Sequence, residues 1–261
     1  MAVASPRLGD LPWRRLLPLI TGLAMPIVLA NLSQTLMGLV DTLMVGRLGE
    51  TALAAVGVAT LLFSAAAMSI KSVDVAVQTY TAHRVGEGRD GEVGAVLATA
   101  VVLTCAAGTV FMLFGLLRPD LLMRLVAVDD AMQDLGTGYL RWRYAGMLPL
   151  LVYFQLKGMF DGVGWTRVGM GIGIGMNLLN VVLNWVLIFG KLGAPALGVM
   201  GAAVASTAST GAAALAILAI ALGPRVRKRF RILRRGNLQP GLLRPFLALG
   251  WPPALQTFGI L

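Results

Sequence analysis

Nearly the whole chain is divided into stretches of about 20 or more predominantly apolar residues, each long enough for a helix to cross the hydrocarbon of a bilayer. They fall at 16–45, 53–80, 93–117, 139–160, 168–189 and 198–222, followed by 242–261. Composition agrees: 57% of the 261 residues are hydrophobic, 13% are charged and the mean hydropathy is +0.79, far from the balance of a soluble domain. The expected fold class is all-α, a polytopic membrane helix bundle with a six-helix lobe and the start of a seventh helix. Residues 1–12 hold no apolar core followed by a small-residue cleavage site, so the first span is expected to act as the insertion signal. Cys105 lies in an apolar stretch and is expected to be a small packing residue.

A net charge of +10 raises the question of nucleic acid, and its distribution answers it. Eight of the 22 basic residues (Arg225, Arg227, Lys228, Arg229, Arg231, Arg234, Arg235 and Arg244) lie in or just beyond one connection between spans, and no acid follows Asp161. Such a segment belongs on the cytoplasmic face of a membrane protein; with only Phe230 interleaved, a headgroup or nucleic-acid patch is the weaker reading. Alternating backwards places fourteen basic residues inside and six outside, namely Arg47, Arg118, Arg124, Arg141, Arg143 and Lys191. The expectation is a multi-pass protein of the cell inner (plasma) membrane, N-terminus cytoplasmic, in contact with membrane lipid and with no nucleic acid.

Two connections are long: 118–138, expected outside, and the basic linker 223–241. Beyond the linker, Leu249-Gly-Trp-Pro252 aligns with Leu23-Ala-Met-Pro26, so a proline recurs at the same depth of the first and seventh spans. Repeats with matched proline-interrupted helices are the usual build of secondary transporters. The expected division is an N-terminal six-helix lobe at 1–222, a basic cytoplasmic linker at 223–241, and the first helix of an incomplete second lobe at 242–261. A missing C-terminal lobe would be its partner.

An ionised carboxylate inside a membrane is expensive, which makes Asp41 a candidate site for a proton, an ion or a cationic ligand. Asn31, Gln34, Gly38 and Asp41 share one helix face, while Leu29, Leu32, Leu36, Leu39 and Leu43 point elsewhere. Pro26 sits inside the same span, where it removes a backbone bond and suits a gate. In the fifth span Asn177, Asn180 and Asn184 again share a face, and Ser206 and Thr207 offer hydroxyls from the sixth. Carboxylate, amide and hydroxyl oxygens suit a proton or a small hard cation, and a single acid favours the proton. Amides that merely join neighbouring helices explain the asparagines equally well.

Lys71 and Asp74, three residues apart, are expected to form an ion pair, and Lys157 and Asp161 stand in a similar relation. The run Gly169-Met-Gly-Ile-Gly-Ile-Gly175 lacks the lysine of a phosphate loop and reads as close helix packing. His83 stands alone, so no metal site is expected. Without a nucleophile triad, paired catalytic acids or a Cys/His cluster, the chain is not expected to be an enzyme or to carry a cofactor.

Six segments, in order, are similar to one family. They are Val40-Asp-Thr-Leu-Met-Val-Gly-Arg-Leu-Gly49, Ala54-Ala-Val-Gly57, Ala82-His-Arg-Val-Gly-Glu-Gly-Arg89, Gly162-Val-Gly-Trp-Thr-Arg167, the stretch from Asn177 to Asn184, and Gly198-Val-Met-Gly-Ala-Ala-Val-Ala-Ser206. The chain resembles the N-terminal half of a MATE (multidrug and toxic compound extrusion) transporter, of the prokaryotic branch near the DNA-damage-inducible F proteins. The resemblance implies a twelve-helix, two-lobe antiporter exporting organic, often cationic compounds or drugs in exchange for H⁺ or Na⁺. It implies that Asp41, helped by Asn180, Asn184 and Ser206, binds the coupling cation, while Gln34 and Tyr139 face the same cavity. Asn31 and Asn177 are added as substrate-binding candidates. The family often has an acid where this chain has Asn184, a threonine at Ser206 and an acid at Trp165, so H⁺ is expected over Na⁺. A lipid-linked or polysaccharide flippase of related fold, or an inactive half-transporter or scaffold, is the alternative.

Overall fold

The computed structural model describes residues 13–126, 129–234, 236–246 and 248–249. The expected seventh helix lies outside them from residue 250 onward, including Pro252 and Pro253, as does the segment 1–12. Ten helices follow one another: α1 (Trp13–Gly46), α2 (Glu50–Lys71), α3 (Val73–Gly86), α4 (Val93–Leu117), α5 (Pro119–Arg124), α6 (Asp130–Ala145), α7 (Met147–Gly162), α8 (Thr166–Phe189), α9 (Val199–Leu222) and α10 (Pro224–Phe230). They form six rods. α2 runs into α3 through Ser72, whose hydroxyl bonds back to Ser69 O at 2.7 Å, and that pair, like α1, α4, α8 and α9, is long and apolar enough to cross a membrane. The sixth rod is built from α6 and α7, two 16-residue helices meeting at Gly146.

Lipid offers little hydrophobic drive between helices, so the bundle closes where small residues let backbones approach. α8 is wedged between α1 and α9. A Cβ at Gly201 of α9 would sit 2.5 Å from Leu187 O of α8, which admits only glycine there. The glycine run of α8 divides by face: Gly169 and Gly173 abut Lys157 and Tyr153 of α7, whereas Gly171 and Gly175 have nothing within 4 Å. Two turns need glycine for a different reason. Gly49 (φ 115) starts α2, and Gly190 (φ 66) ends α8 with the left-handed cap that a side chain disfavours.

Two apolar clusters fill the bundle. One, around Phe63, Leu140, Tyr144 and Ile188, lies toward the α1–α2 and α8–α9 turns; the other gathers Val96, Phe154, Phe160, Ile217 and Phe230 toward α10. The leucines expected to point away from the polar stripe of α1 do so: Leu29, Leu32, Leu36, Leu39 and Leu43 are all exposed.

Both long connections carry helical structure of their own. The 118–138 segment contains α5 and the first turns of α6, the latter capped by Asp129, whose Oδ1 accepts from Met132 N at 2.7 Å. The described residues of the 223–241 linker dock on the bundle. Val226, Phe230 and Ile232 are buried, Arg229 pairs with Asp90 at 2.8 Å, and Gln239 N donates to Thr99 Oγ1 at 3.0 Å. Its apolar residues recur at helical spacing beneath the basic ones, and their burial decides the outcome. Trp165 joins them, its ring 6.0 Å from that of Phe230.

Candidate functional site

α8 buries Asn177, Asn180 and Asn184 between α1 and α9, the last two completely. Asn184 Nδ2 donates to Asp41 Oδ1 on α1 and to Asn180 Oδ1 at 3.0 Å, and Asn180 Nδ2 donates to Ser206 Oγ on α9 at 3.2 Å. Turned by half a rotation, the Asn180 amide instead brings its nitrogen to Asp41 Oδ1 at 2.8 Å and its oxygen to the Ser206 hydroxyl at 3.2 Å. Asp41, Asn180, Asn184 and Ser206 therefore meet at one point. Asn184 Oδ1 is buried there with no donor. Thr207, the other expected hydroxyl, turns away and donates to Trp142 O at 2.8 Å, because it sits one residue round the helix from Ser206.

Asp41 is half-buried, and among the described residues it makes no ion pair. The Arg143 guanidinium of α6 acts on it electrostatically and lies over the Phe63 ring, 4.4 Å from its centre. Sequence reading assigned Arg143 only to the outer charge count. Nothing in its spacing from Asp41 signals the relation, since α6 and α1 are far apart along the chain.

About two turns along α1 lies a cavity of about 130 Å³, lined by Asn31, Gln34 and Asn177 together with Lys71, Asp74 and Lys157. Three of the four substrate-binding candidates thus meet. The fourth does not line this cavity: Tyr139 is buried on α6, its hydroxyl 3.2 Å from Thr60 Oγ1 of α2. Asn177 Nδ2 donates to Ser33 Oγ at 2.6 Å, a partner missed because Ser33 lies off the Asn31, Gln34, Asp41 stripe. The face of α1 that packs on the bundle runs through Ala30, Ser33, Met37 and Asp41, so the stripe lies along its edge and Asn31 and Gln34 stay exposed. Pro26 is buried, and α1 continues as helix through it.

The expected Lys71 and Asp74 pair does not form. Lys71 Nζ lies 4.2 Å from the centre of the Phe154 ring instead, an attraction available because α7 brings that ring beside the α2–α3 junction. Lys157 and Asp161 do pair, at 2.6 Å. Among the described residues no group of three His, Cys, Asp or Glu side chains gathers to hold a metal.

The MatE family profile matches residues 26–186. Multidrug resistance protein MdtK of Yersinia enterocolitica is 33% identical over 183 residues, which make up 70% of this chain and 40% of that protein. The MdtK of Yersinia pestis is 32% identical over the same length. Among solved structures, an outward-facing multidrug resistance MATE family transporter of the MOP superfamily superposes with a TM-score of 0.83 at 25% identity, covering 92% of this chain and 52% of that one. An inward-facing one gives 0.77, over 86% of this chain and 50% of the other. The chain spans about half the length of the relatives it matches. An acid-and-amide cluster at which three of the rods meet, and a profile match across most of the bundle, place this chain in the MatE family of multidrug and toxic compound extrusion transporters.

Proposed function

We propose that the chain forms one lobe of a cation-coupled antiporter that exports organic, often cationic compounds, with H⁺ as the coupling ion and no cofactor. The observation that carries the reading is Asp41: a half-buried membrane carboxylate held by neutral amides rather than by an ion pair. An acid locked in an ion pair keeps its charge. One held by amides can gain and lose it, because an amide can donate to the carboxylate or accept from the acid.

When Asp41 takes a proton, its new O–H needs an acceptor, and Asn184 Oδ1 is buried and free of a donor. Protonation then weakens the charge-assisted bonds that tie α1 to α8 and lets α1, with Pro26 inside it, repack against the bundle. Coupling requires only that proton and substrate favour different arrangements. Substrate would lie along the exposed edge of α1, where Asn31 and Gln34 meet Asn177, and a second lobe would close that edge. The flippase alternative needs several unpaired basic residues in the interior; Lys157 is committed to Asp161, which among the described residues leaves Lys71 and Arg143, each set over an aromatic ring.

The lobe is read as lying in the inner membrane with its N-terminus cytoplasmic. Support comes from the α3–α4 turn, the α7–α8 turn and the basic α10 gathering at one end, where Arg229 meets Asp90 and Trp165 meets Phe230.

The test is proton-driven dye efflux in everted membrane vesicles from cells expressing the gene's whole reading frame. Asp41→Asn keeps the shape and removes titration, so efflux is expected to fall to background while the protein still inserts. Wild-type efflux from that variant refutes the role of Asp41. Efflux driven by an imposed Na⁺ gradient without a pH gradient refutes H⁺ as the coupling ion.

A further inference from the structure

We propose that the concave surface where α9 meets α10 binds the phosphate of an anionic phospholipid. Arg227 and Lys228 of α10 and Arg231 and Arg234 of the turn after it line a cavity of about 460 Å³, with Leu222 and Ile232 as its apolar wall. No acid lines it, and among the described residues none of these four cations makes an ion pair. Arg229 of the same helix faces elsewhere, onto Asp90.

The cations are presented by a built surface. Val226 and Phe230 anchor α10 in the bundle, and the Asn237 amide donates to Arg231 O at 2.8 Å. Arg231 and Leu233 take positive φ values of 51° and 62°, which turns the chain back over the end of α9. Arg231 packs its guanidine stem against Gly91 of the α3–α4 turn. Uncompensated like charges are held together there at the membrane surface, a recurrent arrangement for lipid phosphates.

The occupant follows from what adjoins the cavity. On α9 the exposed residues Ala212, Leu215, Ala216, Ala219 and Ile220 form one continuous apolar face, and Leu215 is 70% exposed. That face leads directly to Leu222 at the cavity's edge. A free phosphate would use only the cations. A phospholipid uses both surfaces, its acyl chains along α9 and its phosphate among the guanidinium groups.

Native mass spectrometry of the purified chain in detergent, titrated with phosphatidylglycerol or with phosphatidylcholine of the same acyl chains, tests this. One phosphatidylglycerol is expected to be retained in preference to phosphatidylcholine. Arg227→Gln with Lys228→Gln is expected to weaken its retention about tenfold or more. Arg225→Gln with Arg244→Gln removes the same charge outside the cavity and is expected to change retention less than about twofold. Equal loss in both variants, no preference between the lipids, or displacement by millimolar inorganic phosphate overturns the proposal. Should the first variant fail to fold, protection of wild-type Arg227 from phenylglyoxal by phosphatidylglycerol alone supports the site, and equal modification with either lipid overturns it.

Discussion

In one half of the bundle the Asp41 carboxylate meets two amides; in the other half Asp161, its side chain only 5% exposed, meets the Lys157 ammonium at 2.6 Å. Both acids are partly or wholly withdrawn from water on membrane-spanning rods, yet their surroundings differ in kind. The amides can donate to a carboxylate or accept from a carboxylic acid, so the Asp41 half tolerates either charge state. The ammonium only donates, so the Lys157 half is organised for the ionised form alone. A buried acid marks a site of ion exchange where its partners are neutral and reversible, and a structural tie where its partner is a fixed charge.

Which half faces which side of the membrane gives the largest contrast. A cysteine at position 229, in a Cys105→Ser background, is expected to react only with reagents that enter the cytoplasm, and one at position 130 only from outside. The reverse pattern would assign the Asp41 half to the cytoplasmic side and undo the proposed orientation of the lobe.

The energetic contrast comes next. Lys157→Met strands the Asp161 charge and is expected to cost about 3–5 kcal/mol in the thermal unfolding of the detergent-solubilised chain. Adding Asp161→Leu should recover most of that. Asp41→Asn, an equal loss of one charge, is expected to move stability by about 1 kcal/mol or less. Comparable losses from the two single changes would break the comparison.

Asn184→Ala removes a fully buried amide from Asp41 and is expected to cost about 1–3 kcal/mol. Asn184→Asp sharpens the ion question: with two carboxylates at the site, 200 mM NaCl should raise the melting temperature above that in choline chloride, which it should not do for the wild-type chain. A Na⁺-specific rise in the wild type would count against the proton. A small effect is expected at Tyr139→Phe, which removes one hydrogen bond to Thr60 and should cost about 1 kcal/mol.

Among the described residues, the sequence by itself determined five of the spans, the polar stripe of α1 and the asparagine face of α8. Lipid forces each span to satisfy its own backbone, so apolar length and helical spacing are enough to write them down. That Asn180, Asn184 and Ser206 would gather at Asp41 was legible only through family resemblance, and their geometry through the fold. Tertiary structure alone decided the rest. Asn177 bonded to Ser33, off the stripe, because α8 packs on the neighbouring face of α1. Lys71 left Asp74 for the Phe154 ring because α7 carries that ring to the α2–α3 junction. The basic linker docked because Val226, Phe230 and Ile232 found a cluster built by five rods. Local periodicity assigns a residue to a face, but which helix covers that face depends on where small residues let distant backbones approach, and no spacing along one segment records it.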